Sequence, residues 1–142
     1  MTHIYSKLPM VLLFLVLVAF GYVIYLMVFP LEVFKPNIQP YKIMNENKTV
    51  KIGDNVIYQV DACKFMDISA ISRRSFVNAI EINLPPKETS VVKGCNKTQM
   101  LVQVPNEIIP GTWHLEINIE YKINPLRSKI YHLKTENFQV VK

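Results

Sequence analysis

Residues 110–127 read PGTWHLEINIEYKINPLR, and their periodicity decides the fold class of the chain. Trp113, Leu115, Ile117, Ile119 and Tyr121 alternate with His114, Glu116, Asn118, Glu120 and Lys122. A period of two marks a strand with one face toward a core and the other toward solvent. Pro110-Gly111 supplies a corner before it, and Asn124-Pro125 a turn after it. The apolar set predicts a stripe of core; the charged set predicts the solvent side of an antiparallel sheet.

The flanking sequence repeats the theme. Residues 50–52 predict a short strand closed by a Gly53-Asp54 turn. Val56, Tyr58 and Val60 share one face of the next strand, and Cys63 has the opposite parity unless a bulge intervenes. In SFVNAIEINLP (75–85), Phe76, Ile80, Ile82 and Leu84 predict a single strand that Pro85-Pro86 ends. Residues 98–104 set Met100, Val102 and Val104 against Gln99, Leu101 and Gln103, and strands over 128–133 and 138–141 follow. Seven or so short strands between regular turn signals predict an all-β, immunoglobulin-like β-sandwich over 49–142.

The N-terminal part is of another kind. No charge occurs between Lys7 and Glu32, and PMVLLFLVLVAFGYVIYLMVF (9–29) is almost wholly apolar. As a helix this run is about 31 Å long, close to the roughly 30 Å of a bilayer core. It predicts one transmembrane α-helix acting as a signal anchor, because a helix satisfies its own backbone in lipid. Pro9 suits a first turn, Pro30 and Pro36 discourage continuation, and Tyr5, Tyr25, Phe29 and Phe34 fall near the interfaces. The competing reading is a cleaved signal peptide ending near Ala19-Phe20-Gly21, against which eight further apolar residues weigh. No ionisable residue lies in the span, so proton relay and transport find no support. Residues 1–8 then form a short cytoplasmic tail, and 30–48, with three prolines, a stalk.

Both cysteines, Cys63 and Cys95, fall in the β region, which predicts one disulfide and an oxidising compartment. The alternative is two unrelated buried thiols. With the disulfide, the β region lies outside the cytoplasm and the N-terminus inside.

The spacing GDNVIYQVDACKF, SRRSFVNAIEINLP, KGCNKTQMLVQVP and IIPGTWHLEINIEYKINPLRSKIYHLKTENFQV resembles small signal-anchored β-sandwich proteins encoded in tailed-phage and prophage genomes, whose role is generally unassigned. The resemblance covers about residues 53–141. It is carried by Cys63 with Gly94-Cys95, Pro110-Gly111, Tyr121 with Asn124-Pro125-Leu126-Arg127, and Thr135-Glu136 with Phe138. It implies a host inner-membrane protein facing the periplasm and brings no catalytic residues.

The chemistry of catalysis is sparse. The three histidines are His3, His114 and His132, without metal-ligand spacing, and no metal or other cofactor is expected. No GxSxG elbow occurs, and the four glycines form no phosphate-cradling loop. Glu116 and Glu120 lie on one strand face about 13 Å apart, beyond the reach of paired hydrolytic carboxylates. An enzyme is not expected.

All but one of the 16 Lys and Arg, and all 11 Asp and Glu, lie beyond the apolar run. Arg73-Arg74 and the set Lys122, Arg127, Lys129 and Lys134 are the densest basic clusters. They form the candidate contact surface for head groups, cell-wall polymers or an acidic protein, set against ordinary solvated charge. No aromatic platform interleaves them, so nucleic acid is not an expected partner. Asn47 and Asn96 head N-x-T triplets, which matter only in a eukaryotic host. The expected partners are a lipid bilayer and another membrane or envelope protein. The expected role is recognition, for example envelope modulation by a phage (superinfection exclusion or lysis), with structural support as a subunit of a larger membrane complex as the alternative.

Overall fold

The computed structural model describes residues 8–28, 32–89 and 91–142. Two compact units result: a helical unit that also takes in the turn Asn124–Arg127, and a β-domain of Glu32–Ile123 with Ser128–Lys142.

In the helical unit, α1 (Leu8–Val28) carries no acidic residue in its first turn and no basic residue in its last. Its segment Met10–Val28 has a mean hydropathy of 2.8 and is not buried among the described residues. Apolar residues occupy every side, so there is no polar face by which it could lie on a water-facing core. The helix is long and apolar enough to cross a bilayer. The expected tail, including His3, Tyr5 and Lys7, lies outside the described residues apart from Leu8, as do Phe29 and Pro30.

The β-domain begins with β1 (Phe34–Pro36), β2 (Lys42–Ile43), β3 (Thr49–Lys51), β4 (Asn55–Lys64) and β5 (Ala70–Val77). It continues through β6 (Glu81–Asn83), β7 (Lys87–Thr89) and β8 (Gly94–Gln103) to β9 (Gly111–Asn124), β10 (Arg127–Lys134) and β11 (Phe138–Val141). In one sheet β4 is the spine, pairing antiparallel with β8 along its whole length and with β1 and β2 on its other edge. In the second sheet β9 pairs antiparallel with β5 on one edge and with β11 and β10 on the other. β6 and β7 extend β5 at its far edge, and β3 joins β11 in parallel.

One core lies between them. The first sheet contributes Val56, Tyr58, Val60 and Val102; the second contributes Phe76, Phe138 and all five apolar residues of the β9 stripe. Burying each large side chain of that stripe contributes roughly 1.5–3 kcal/mol. Trp113 also donates its indole N–H to the Ile109 carbonyl at 2.9 Å, so its polar edge is satisfied in the interior. A parallel bridge joins Tyr41 to Thr135, with the Tyr41 N–H donating to Lys134 O at 2.9 Å.

Three expectations are corrected. The stretch 30–48, expected as a stalk, belongs to the β-domain from Glu32 onward, because Val33, Phe34, Tyr41 and Ile43 are core residues. Its prolines mislead because Pro36 ends a short edge strand, a place where no ladder donor is required. Residues 75–85 do not form one strand: the chain reverses after Val77, so β5 and β6 pair with Phe76 opposite Ile82. Ile80, expected on the core face, is exposed in that reversal. Finally, β5 starts at Ala70, in a polar stretch that pattern alone passes over. Cys63 needs no bulge; the β4–β8 register is continuous from Asn55–Gln103 to Lys64–Gly94.

Candidate functional site

The two cysteines sit directly across from each other on β4 and β8 and form a disulfide, with Cα atoms 3.9 Å apart. The bond therefore staples neighbouring strands of one sheet. Asn96 beside it is exposed, as is Asn47. Asn47 takes a positive φ of 50°, a conformation that Asn tolerates better than most residues.

The candidate contact surface divides. Arg73 projects from the outer face of β5 and its guanidinium meets Glu120 at 2.8 Å, with Arg73 56% exposed. The same face holds a hydrogen bond between His132 and Asn118 at 2.6 Å and a contact between His114 and Glu116 at 3.5 Å. Its charges and polar groups satisfy one another across strands, and such exposed pairs contribute little to stability. Arg74 points the other way, opposite Ile117 on β9, into the interior. The two arginines cannot share a contact surface, because consecutive strand residues alternate sides. Lys122 and Lys134 are exposed, and Lys129 lies over the Tyr131 ring at 5.2 Å from its centroid. Tyr131 is itself fixed by accepting hydrogen bonds from the Val33 and Phe34 amides at 3.3 and 3.2 Å. Arg127 opens β10 just after the turn, where the Leu126 N–H donates to Asn124 Oδ1 at 2.9 Å.

Between the sheets is a cavity of about 280 Å³. Val60, Ile117, Ile119 and Met100 give it an apolar wall, and Tyr41, Tyr58, Ser72 and Arg74 bring polar groups to it. Arg74 Nε and the Tyr41 hydroxyl are buried without a hydrogen-bond partner among the described residues. Burial pushes the Tyr58 phenol up to about 12, against the opposing pull of the Arg74 charge. Burial raises the Tyr41 phenol too, with Tyr58, Tyr121 and Asp61 adding to it. A second, more open cavity of about 600 Å³ shares Arg74, Lys87 and Leu101 with the first.

Sequence reasoning placed Arg74 on the surface and passed over Tyr41, which lay in the supposed stalk. One signal was present: Arg74 has the parity of Phe76, so an arginine occupies a core-facing position of β5. Among the described residues, no group of three or more His, Cys, Asp or Glu is placed to hold a metal ion. The pocket offers apolar surface, hydroxyl donors and the charged groups of Arg74, Lys87 and Glu88, which is the chemistry of binding and orientation.

No protein-family model matches the chain, and no curated protein sequence matches it. Among solved structures it is similar to a mutant β-glucosidase from Listeria innocua in complex with laminaribiose, at 9% identity and a TM-score of 0.37. The match covers 74% of this chain, which spans only 16% of that enzyme. A likeness that low carries no argument about fold or activity.

Proposed function

We propose that the protein is a single-pass, membrane-anchored recognition or accessory protein that displays an immunoglobulin-like β-sandwich outside the cytoplasm. The observation that carries this reading is the Met10–Val28 segment of α1, 19 residues without a charge and with no part buried among the described residues. Lipid is the medium in which such a surface is stable. The Cys63–Cys95 disulfide supports an oxidising compartment for the β-domain, and a cytoplasmic N-terminus is part of the same proposal. Two facing sheets and a buried Trp113 favour the immunoglobulin-like description; the disulfide, lying within one sheet, departs from it. The phage resemblance points to a role at a bacterial envelope, such as superinfection exclusion or assistance to lysis. The surface proposed for partner contact is the outer face that carries Lys122 and Lys134; Arg127 and Lys129 have the parity of Tyr131 on β10 and leave by the other side.

Topology is tested by thiol labelling. A Lys142→Cys variant should react with a membrane-impermeant maleimide in intact cells, or in spheroplasts if an outer membrane intervenes. Failure to label, or a mature chain beginning after Gly21, would sink the anchored reading. Purification in mild detergent then separates the roles. Stoichiometric recovery with a larger membrane complex would assign the chain as a structural subunit instead.

A further inference from the structure

The interior cavity of the β-domain has features that core packing does not account for. Arg74 is brought inward by strand parity, opposite Ile117. Its Nε lies buried with no hydrogen-bond partner among the described residues, and so does the Tyr41 hydroxyl. An unmade hydrogen bond on a buried group costs about 1–3 kcal/mol, and native interiors hold few such groups. Here two belong to residues that line the same cavity, whose wall includes the apolar Ile117, Ile119 and Met100 together with the polar Ser72, Thr89 and Gln99. Lys87 and Glu88, both exposed, also line it and offset one another in charge. The guanidinium is thus the net charge of the site.

We infer that this pocket binds a free medium-chain carboxylate, with its alkyl chain against Ile117, Ile119 and Met100 and its head at the Arg74 guanidinium. A planar guanidinium fork matches one carboxylate, and such charge-assisted bonds are about twice as strong as neutral ones. A neutral head would leave the cation unmet. A phosphate dianion would carry one more negative charge than the single cation balances. Size sets the chain length. A methylene takes up roughly the space of a water molecule, about 30 Å³, so 280 Å³ holds about nine carbons. The inference rests on the β-domain alone and does not depend on membrane anchoring.

The probe is decanoate, titrated into the full chain held in diacylphospholipid nanodiscs, with decanol as the neutral control. NMR reads the Arg74 Nε–Hε resonance and the methyl groups of Ile117, Ile119 and Met100. All four should shift saturably with decanoate, and decanol should bind about tenfold more weakly, as expected for loss of a charged hydrogen bond. Arg74→Gln should bring the two affinities together. Ser72→Phe, which adds bulk to the cavity wall and keeps the Arg74 cation, should abolish the shifts while unfolding stays cooperative. The wild-type comparison decides the matter even if a variant fails to fold. No shift with decanoate, equal affinity for decanol, or resonances that already report bound phospholipid before decanoate is added would each overturn the inference. So would unchanged decanoate binding in a folded Ser72→Phe.

Discussion

Arg73 and Arg74 are neighbours in the chain, yet the pleat sends them to opposite sides of β5. One meets Glu120 in solvent; the other reaches the interior with an unpartnered Nε. Thr135 shows the converse economy. Its hydroxyl accepts from the Leu115 N–H and donates to the Glu136 carbonyl, each at 3.0 Å, so a polar side chain is buried fully bonded. The cysteines also act at this scale. Their 32-residue separation closes a loop that, by chain entropy, contributes roughly 3–4 kcal/mol. Cys63→Ser is therefore expected to lower the stability of the β-domain by a few kcal/mol, read from the urea midpoint without reductant. If reductant lowers the wild-type midpoint no further than the variant's, the crosslink accounts for the whole effect. Free thiols found by mass spectrometry under non-reducing conditions would contradict it.

At the scale of the element, β9 answers the question its alternation poses. Its apolar parity is buried throughout, from Trp113 to Tyr121. Of its charged parity, His114 to Glu120 are half-buried and paired with side chains of β5, β9 and β10, and Lys122 is exposed. Leu115→Ala should cost about 2–5 kcal/mol by opening a cavity, whereas Glu116→Ala should stay within about 0.5 kcal/mol. Thermal unfolding of the two variants checks this; equal effects would mean that the strand is not anchored as described. β9 was legible because 14 residues carry a long, unbroken pattern. β5 and β6 were not, because their apolar residues continue in register through the reversal, and pattern alone does not show where the chain turns back.

The whole molecule adds properties that no single element holds. Burial between sheets raises the phenols of Tyr58 and Tyr121 from 10 to about 12, and raises Tyr41 as well. A raised phenol means that the folded state holds its proton more tightly than the unfolded state does. That stability is complete below pH 10 and is lost as pH rises through about 12. Thermal midpoints should fall progressively across that window, together with tyrosinate absorbance. Replacing Tyr58 with Phe should lessen the fall. Glu136 acts with the opposite sign: the Lys48 hydrogen bond lowers its carboxyl, so a small, solvent-screened contribution disappears as pH drops below 4.5.

Alternation along β4, β8, β9 and β11 determined, from sequence alone, that the chain is β-rich, and the uncharged run ahead of it determined an apolar helix. These are local properties: each residue's face follows from its own parity or from the polarity of its near neighbours. The pairing of Cys63 with Cys95 was expected from their number, but their placement on adjacent strands came only with the register. Tertiary structure alone decided that Val33, Phe34 and Tyr41 enter the core, since burial there depends on β4, β9 and β10 arriving from elsewhere in the chain. The pocket belongs to the same category. Arg74, Tyr41, Met100 and Ile117 are far apart in sequence, and a cavity is the space left where two sheets meet, which no segment specifies by itself.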